Sequence, residues 1–481
     1  MSMLRRRGRS FIPLFIMVSS FTAPSFYPSS HVPSLQAEYI GKSLCDINPP
    51  AAILDAAVLR RNCKRMLTAT QTLGVGFRAH VKTHKTTQLA ELQVGKDTKS
   101  VNLIASTVAE IENLAPWLLE CQSQGKTTSV LYGVPLAPST VLRLASLART
   151  LGPGTLGIFV DHSDHVRLLS EVDESAWPGR IPIWVNIDVG YHREGVPSDS
   201  EQLADIAYAL SASKRVTLGG IYAHMGHSYG VSSPEEALSF FGQELEGLEQ
   251  GAISFLKCTD AHATNDPNAE KIVLSLGATP TARAIQNLLS GEATESTKAY
   301  RSTLDRINRS FTVEIHAGVY PVLDLQQMAT RAASSGPGAS ETSYDDIAFR
   351  LLVEVNGAYP ERSEKPEALI AGGCILLGRE ACKSYPGYGI VTPWPAQEGR
   401  FYDPAGSKTG WIVGKVAQEH GNLWWEGPAE NVRPLEIGQK LMLWPNHACI
   451  AGAHFGWYLV VDSEEEDPEV VRDVWVRWRG W

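Results

Sequence analysis

A lysine, two loops rich in small and hydroxyl residues, and a histidine–cysteine pair hold most of the chemistry this sequence can offer. The lysine is Lys82, which closes the apolar run beginning at Gly74 (GVGFRAHVKTHK). A lysine amine at the end of a buried strand is placed to form a Schiff base with a carbonyl compound. Lys85, three residues on, reads instead as charge at the start of a helix. The first loop is Ser275–Thr281 (SLGATPT), with Ser275, Gly277 and Thr279; the second is His316–Tyr320 (HAGVY), with Gly318 and Tyr320. Small residues just after a strand let backbone N–H groups approach a phosphate closely. Lysine and loops together suggest a phosphorylated aldehyde cofactor, and pyridoxal phosphate is the obvious candidate. His447 and Cys449 stand two apart in a strand-like run, so both side chains are expected on one face. An imidazole and a thiolate side by side suit Zn²⁺.

These groups need elements to hold them. Apolar runs begin near Gly74, Val101, Ser129, Leu156, Ile181, Val216, Ile272 and Thr312, and each closes on polar or ionisable residues. Helices with one apolar face are expected between them, among others over Ala57–Leu73, Val108–Leu119, Ser139–Leu151, Glu201–Leu210 and Pro234–Phe255. Eight strand–helix alternations outline an α/β fold, a (β/α)8 TIM-type barrel, whose chemistry sits at the carboxyl ends of the strands. The polar groups fall at those ends, so the chain reads as an enzyme.

A Ser/Gly/Ala-rich stretch, Ala332–Ser343, marks the exit from the barrel. Beyond it come short β-rich runs at Ala348–Ala358, Ala368–Leu377, Trp411–Ala417, Lys440–Trp444, Gly456–Val461 and Val470–Trp478. They predict a C-terminal antiparallel β domain, packed by Trp424, Trp425, Trp475 and Trp478. The division expected is an N-terminal extension (1–37), a barrel (38–335) and a β domain (336–481). Residues from Pro49 to Asp55 read as an extended lead-in to the first helix.

With 481 residues, 43% hydrophobic and 20% charged, the chain has the composition of a soluble globular protein. Its formal charge of −9 argues against a general nucleic-acid partner. Seven cysteines without a CxxC pair do not make a secreted disulfide framework, which favours the cytoplasm. The first 37 residues contain no acid and carry four arginines between Arg5 and Arg9. That pattern also suits a mitochondrial transit peptide or a secretory signal, whereas the apolar stretch Phe11–Phe21 is too short to span a bilayer.

Five motifs occur in order: VKTHKT from Val81, DVGYHREGV from Asp188, GHSY from Gly226, SLGATPT from Ser275 and PNHAC from Pro445. Together they resemble the eukaryotic D-serine dehydratases, within the alanine racemase-like (fold type III) pyridoxal phosphate enzymes. The resemblance runs from about Tyr39 to Trp481. Two positions depart from the pattern: Ala79 stands where the family usually has proline, and Ala371 where it usually has aspartate. The resemblance implies a homodimer using pyridoxal phosphate and zinc on a small D-amino acid, with no membrane or nucleic-acid partner. It implies cofactor contacts at Lys82, Tyr222, His224 and Tyr229, and zinc at His447 and Cys449. Lys82 would then take the Cα proton of D-serine while zinc stabilises the departing hydroxyl, giving pyruvate and ammonia. A metal-assisted D-threonine or 3-hydroxy-D-aspartate aldolase is the alternative reading, and a non-catalytic pyridoxal phosphate carrier a further one. Asp188 and Arg193 are expected to pair with each other.

Overall fold

The structure is a computed structural model, and it describes residues 27–259, 271–289, 294–333, 343–362, 364–394 and 399–481. Most of the basic leader and of the Ala332–Ser343 stretch therefore lies outside the described residues. The chain enters through helix α1 (Val32–Tyr39) and strand β1 (Ala51–Asp55). Helix α2 (Ala56–Leu73) follows directly, for reasons the sequence makes plain. Asp55 caps it by accepting from the N–H groups of Ala57 and Val58, and Gly74 ends it in the left-handed region at φ 68°. Val58, Leu59, Met66, Ala69 and Leu73 recur at helical spacing on its buried face.

Eight parallel strands then close a barrel. They are β2 (Gly76–His80), β3 (Ser100–Ala105), β4 (Thr127–Tyr132), β5 (Leu156–Val160), β6 (Ile181–Ile187), β7 (Val216–Ala223), β8 (Val273–Leu276) and β9 (Thr312–Ala317). β9 returns to β2 with Gly76 opposite Glu314, which completes the ring. Helices alternate with the strands, among them α3 (Thr87–Val94), α4 (Val108–Ser123), α5 (Val141–Leu151), α6 (Ser163–Ser170), α7 (Glu201–Ala212) and α8 (Pro234–Lys257). Inside the barrel, Ile104, Leu131, Phe159, Trp184 and Tyr222 pack as one cluster. A Cβ on Gly220 would lie 2.5 Å from the Trp184 ring, so a residue without a side chain is needed there. Below the site a buried ion pair, Arg78 Nε to Glu314 Oε1 at 2.6 Å, plugs the barrel, with the guanidinium 4.6 Å from the Trp184 ring. Removing either charge would strand the other in the core, at about 3–5 kcal/mol.

The second domain consists of β10 (Phe349–Tyr359), β11 (Glu367–Ile370), β12 (Gly389–Val391), β13 (Gly410–Val416), β14 (Gly421–Glu426) and β15 (Lys440–Pro445). These antiparallel strands close a second barrel, because β10 pairs with both β11 and β15. The long β10 gives Leu351–Glu354 to β15 and Val355–Tyr359 to β11, with an irregularity between Val355 and Gly357. Two findings differ from the sequence reading. The lead-in Ala51–Asp55 is a strand of this second sheet, antiparallel to β10 and parallel to β16 (Trp457–Val461). The run expected over Ala368–Leu377 stops at Ile370, since Gly372 and Gly373 break it before a short helix, Cys374–Leu377. Helix α1 packs on β17 (Asp473–Val476), where Gln36 donates to Asp473 at 3.2 Å. Trp425, Trp475 and Trp478 are buried in the core, whereas Trp424 is 37% exposed. No helix among the described residues is long and apolar enough to cross a membrane.

Candidate active site

At the carboxyl ends of the barrel strands lies a cavity of about 330 Å³. Lys82, Tyr222, His224, Tyr229, Gly277, Thr279, Gly318 and Cys449 all line it. Eight of the residues singled out from sequence therefore meet in one place, contributed by loops that follow four barrel strands and by the second domain.

Lys82 sits in a turn just after β2, and its N–H donates to Nδ1 of His80 at 3.3 Å. Burial pushes its amine below the ordinary lysine value; the Cys449 thiolate opposes this and the Arg193 guanidinium adds to it. A lowered lysine spends more of its time as the free base, the form that attacks carbonyls and accepts protons. Lys85 is not helix-start charge. It holds a left-handed φ of 52° before the helix begins, and its Nζ pairs with buried Glu110 at 2.8 Å. Glu110 also accepts from the N–H of Ser106 at 2.7 Å, so it staples the lysine turn to the exit of β3. The second domain latches the same turn, because the Trp478 N–H donates to the Lys85 carbonyl at 2.8 Å.

The phosphate-loop expectation needs correcting at three residues. The N–H of Gly277 is already taken by Glu244 Oε1 at 2.9 Å, and that of Ala278 by Thr281 Oγ1 at 2.9 Å. Gly277 is needed for space and backbone shape: its φ is +146°, and a Cβ there would lie 2.1 Å from the His316 carbonyl. Ser275 does not line the cavity; it is fully buried with Oγ 3.1 Å from His316 Nδ1, supporting that ring from beneath. Tyr320 is turned away altogether. Its ring meets Phe77 edge-on at 5.7 Å, and its hydroxyl sits by Cys63 of α2. Phe77 faces the helices while its neighbour Arg78 faces the barrel interior. The groups left to face a ligand on this side are Thr279, Tyr229 against it, and Gly318.

His224 and His316 furnish rings. Nδ1 of His224 is 2.8 Å from the Gly277 carbonyl, which can only accept, so Nδ1 carries the proton. Burial lowers this imidazole to about 3, so it is neutral and its Nε2 is an acceptor. His316 stacks on Tyr222 with centroids 4.3 Å apart, and its Nε2 is buried with no protein partner among the described residues.

His447 and Cys449 do come together, but not on a strand face. β15 ends at Pro445, and His447 is the N-cap of a short helix, Ala448–Ala453, with Cys449 in its first turn. Asn446 turns the chain: it accepts from Tyr385 and donates to the carbonyls of Glu380 and Gly387. Burial opposes a charge on His447, yet Cys449 outweighs it and lifts the imidazole to about 9. In return His447 and Thr83 hold the buried thiol below its usual value. Thr83 Oγ1 lies 3.1 Å from Cys449 Sγ, joining this pair to the Lys82 turn. Among the described residues no group of three or more His, Cys, Asp and Glu could hold a metal ion.

Asp188 and Arg193 do not pair. Asp188 holds His192 at 2.6 Å, while Arg193 reaches Glu194 at 2.6 Å and lines the cavity beside it. His80, Ser106, Glu194 and His316 also line the cavity and were not singled out as contacts. His80, Ser106 and His316 stand at or next to a strand end, which was the available signal, whereas Glu194 lies in the loop after β6 and was marked only by its place beside Arg193. Glu244, 34 residues before Ala278 and mid-helix, offered none.

Comparison with known proteins adds the following. The "Alanine racemase, N-terminal domain" family matches residues 54–285, and the "Putative serine dehydratase domain" family matches residues 348–461. The chain is 33% identical to the D-serine dehydratase of Schizosaccharomyces pombe, over 95% of this chain and 97% of that one. It is 29% identical to the D-serine dehydratase of Saccharomyces cerevisiae, over 92% and 99%. Among solved structures it resembles a cysteine-to-alanine mutant of D-threo-3-hydroxyaspartate dehydratase in the metal-free form. That match has a TM-score of 0.68 and 26% identity, over 92% of this chain and 100% of that one.

Proposed function

The chain belongs to the D-serine dehydratase family, built on an alanine racemase-like fold, and from that premise we propose that it converts D-serine to pyruvate and ammonia with pyridoxal phosphate and zinc. The observation that carries the reading is the meeting of Lys82 and Cys449 in one cavity, joined through the 3.1 Å contact of Thr83.

The cavity suits pyridoxal phosphate in its donor set. A lysine with a depressed pKa stands on one side and hydroxyls at Thr279 and Tyr229 on another, and the buried His316 Nε2 has no protein partner among the described residues. When bound, the cofactor supplies an electron sink for the charge that develops at the substrate Cα. Lys82 would hold the cofactor, and its Nζ is placed to take the Cα proton of the substrate. Arg193 offers a fixed positive charge for the substrate carboxylate, and Glu194 beside it steadies the guanidinium. His224 presents an acceptor nitrogen, because its Nδ1–H is spent on Gly277.

His447 and Cys449 suit zinc in kind, one imidazole and one thiol already drawn toward thiolate, and they leave positions open for water and substrate. When bound, the metal supplies a Lewis acid for the departing β-hydroxyl. A D-threo-3-hydroxyaspartate dehydratase solved as a cysteine-to-alanine mutant in the metal-free form is in keeping with a metal in this reading. A dimer in the cytoplasm accompanies this reading as the working arrangement. The experiment that tests it is metal removal: chelation should abolish pyruvate release from D-serine, and added Zn²⁺ should restore it. Full activity in a protein shown to be zinc-free would overturn the metal's role.

A further inference from the structure

Glu244 is a fully buried carboxylate in the middle of α8, absent from the chemistry above, and both its oxygens are engaged with the loops that face the cavity. Oε1 accepts from the N–H of Met225, just after β7, and from the N–H of Gly277, just after β8, each at 2.9 Å. Oε2 accepts from Thr281 Oγ1 at 2.9 Å, and that hydroxyl oxygen in turn accepts from the Ala278 N–H. The two N–H groups belong to neighbouring barrel strands, and their loops carry His224 on one side and Thr279 on the other. Gly277 is the hinge of the arrangement, since its N–H goes to Glu244 and its carbonyl takes the Nδ1–H of His224. Ordinary core packing explains none of this, because an apolar residue at the position would leave two buried N–H groups without partners.

We infer that Glu244 is a positioning residue for the cofactor: it clamps the β7 and β8 exit loops in one relative position, and so sets both the Thr279 side of the cavity and the ring nitrogen that His224 offers. The inference rests on the reading that this cavity takes pyridoxal phosphate. A glutamine can keep every contact, with its amide oxygen accepting both N–H groups and its NH₂ donating to Thr281. An alanine keeps none.

The test is the affinity of the apoprotein for pyridoxal phosphate, followed by tryptophan fluorescence, alongside its melting temperature. Glu244→Ala should raise the Kd at least tenfold, while Glu244→Gln stays within about threefold of the parent. Leu245→Ala, a buried neighbour on the same helix that touches neither loop through a polar contact, should lower the melting temperature and leave the Kd unchanged. Should Glu244→Ala fail to fold, Thr281→Val, which removes one arm of the clamp, should still raise the Kd by about threefold or more. An unchanged Kd in Glu244→Ala, or in Thr281→Val where the alanine variant does not fold, overturns the clamp. An equal rise in Leu245→Ala overturns it too, since the effect would then be general softening. Parent protein that takes up no pyridoxal phosphate at all overturns instead the reading of the cavity.

Discussion

Replacing His447 with alanine separates the two halves of the proposed reaction. In the structure the Cys449 thiol is held below its ordinary pKa by His447 and by Thr83, against burial, which pushes it up. Removing the imidazole takes away one metal donor outright and returns the thiol toward its protonated, weakly ligating form. A Lewis acid on a departing oxygen supplies several kcal/mol of transition-state stabilisation. Taking about 4 kcal/mol, pyruvate release from D-serine should fall by about 10³-fold. Lys82 is untouched, and its depressed pKa owes most to burial, so removal of the Cα proton should persist. The assay pairs two substrates and one exchange measurement. D-serine should lose its turnover, whereas β-chloro-D-alanine, whose chloride leaves without a Lewis acid, should lose less than about tenfold. Exchange of the Cα proton of D-serine with solvent deuterium, read by proton NMR, should continue at a measurable rate. If both substrates decline together, or the variant unfolds, the metal pair is structural and the assignment of roles is wrong.

Three further outcomes follow from named contacts. Lys82→Ala should abolish the visible absorption of bound cofactor together with turnover, and borohydride reduction of the parent should label the peptide at Lys82; a label on Lys85, which is committed to Glu110, would refute the assignment. Gly277→Ala places a Cβ 2.1 Å from the His316 carbonyl at a φ of +146°, so cofactor affinity should drop at least tenfold by fluorescence titration; parent-like affinity would show that the loop relaxes freely. His84, whose ring is bonded to Thr86 and Gln93, is lowered by burial to about 3, beneath an unfolded value of about 6.5. Its neutral form stabilises the fold fully above about pH 6.5, and that contribution is lost as pH falls toward 3, by about 1.4 kcal/mol per pH unit. His84→Gln should therefore lose less melting temperature between pH 7.5 and 5.0 than the parent, and equal losses would contradict the argument.

The barrel was legible because its signals are local. Each strand is a short apolar run, each ends on polar residues, and helices such as α2 carry their own cap in Asp55 and their own stop in Gly74. The partners of β1 were not legible, since nothing in Ala51–Asp55 itself tells of β10 and β16, some 300 and 400 residues downstream. The His447–Cys449 pair shows how a right juxtaposition can rest on a wrong period. Spacing of two suggests one strand face, but Pro445 and the hydrogen bonds of Asn446 turn the chain, and a helix start brings the same two side chains together. Tyr320 and Ser275 were misread because residues near a strand end alternate between cavity, interior and wall, and a two-residue period decides among them only once the register is known. Glu244 lay among four other glutamates of α8, and only tertiary burial distinguishes it from its solvated neighbours.

The central claim is tested most directly by product analysis. Purified protein loaded with pyridoxal phosphate and Zn²⁺ is incubated separately with D-serine, L-serine, D-threonine and 3-hydroxy-D-aspartate, and pyruvate, ammonia and glycine are measured. The account predicts equimolar pyruvate and ammonia from D-serine, little from L-serine, and no glycine from any of them. Glycine and an aldehyde from D-threonine or 3-hydroxy-D-aspartate, with no pyruvate from D-serine, would contradict it and make the chain an aldolase.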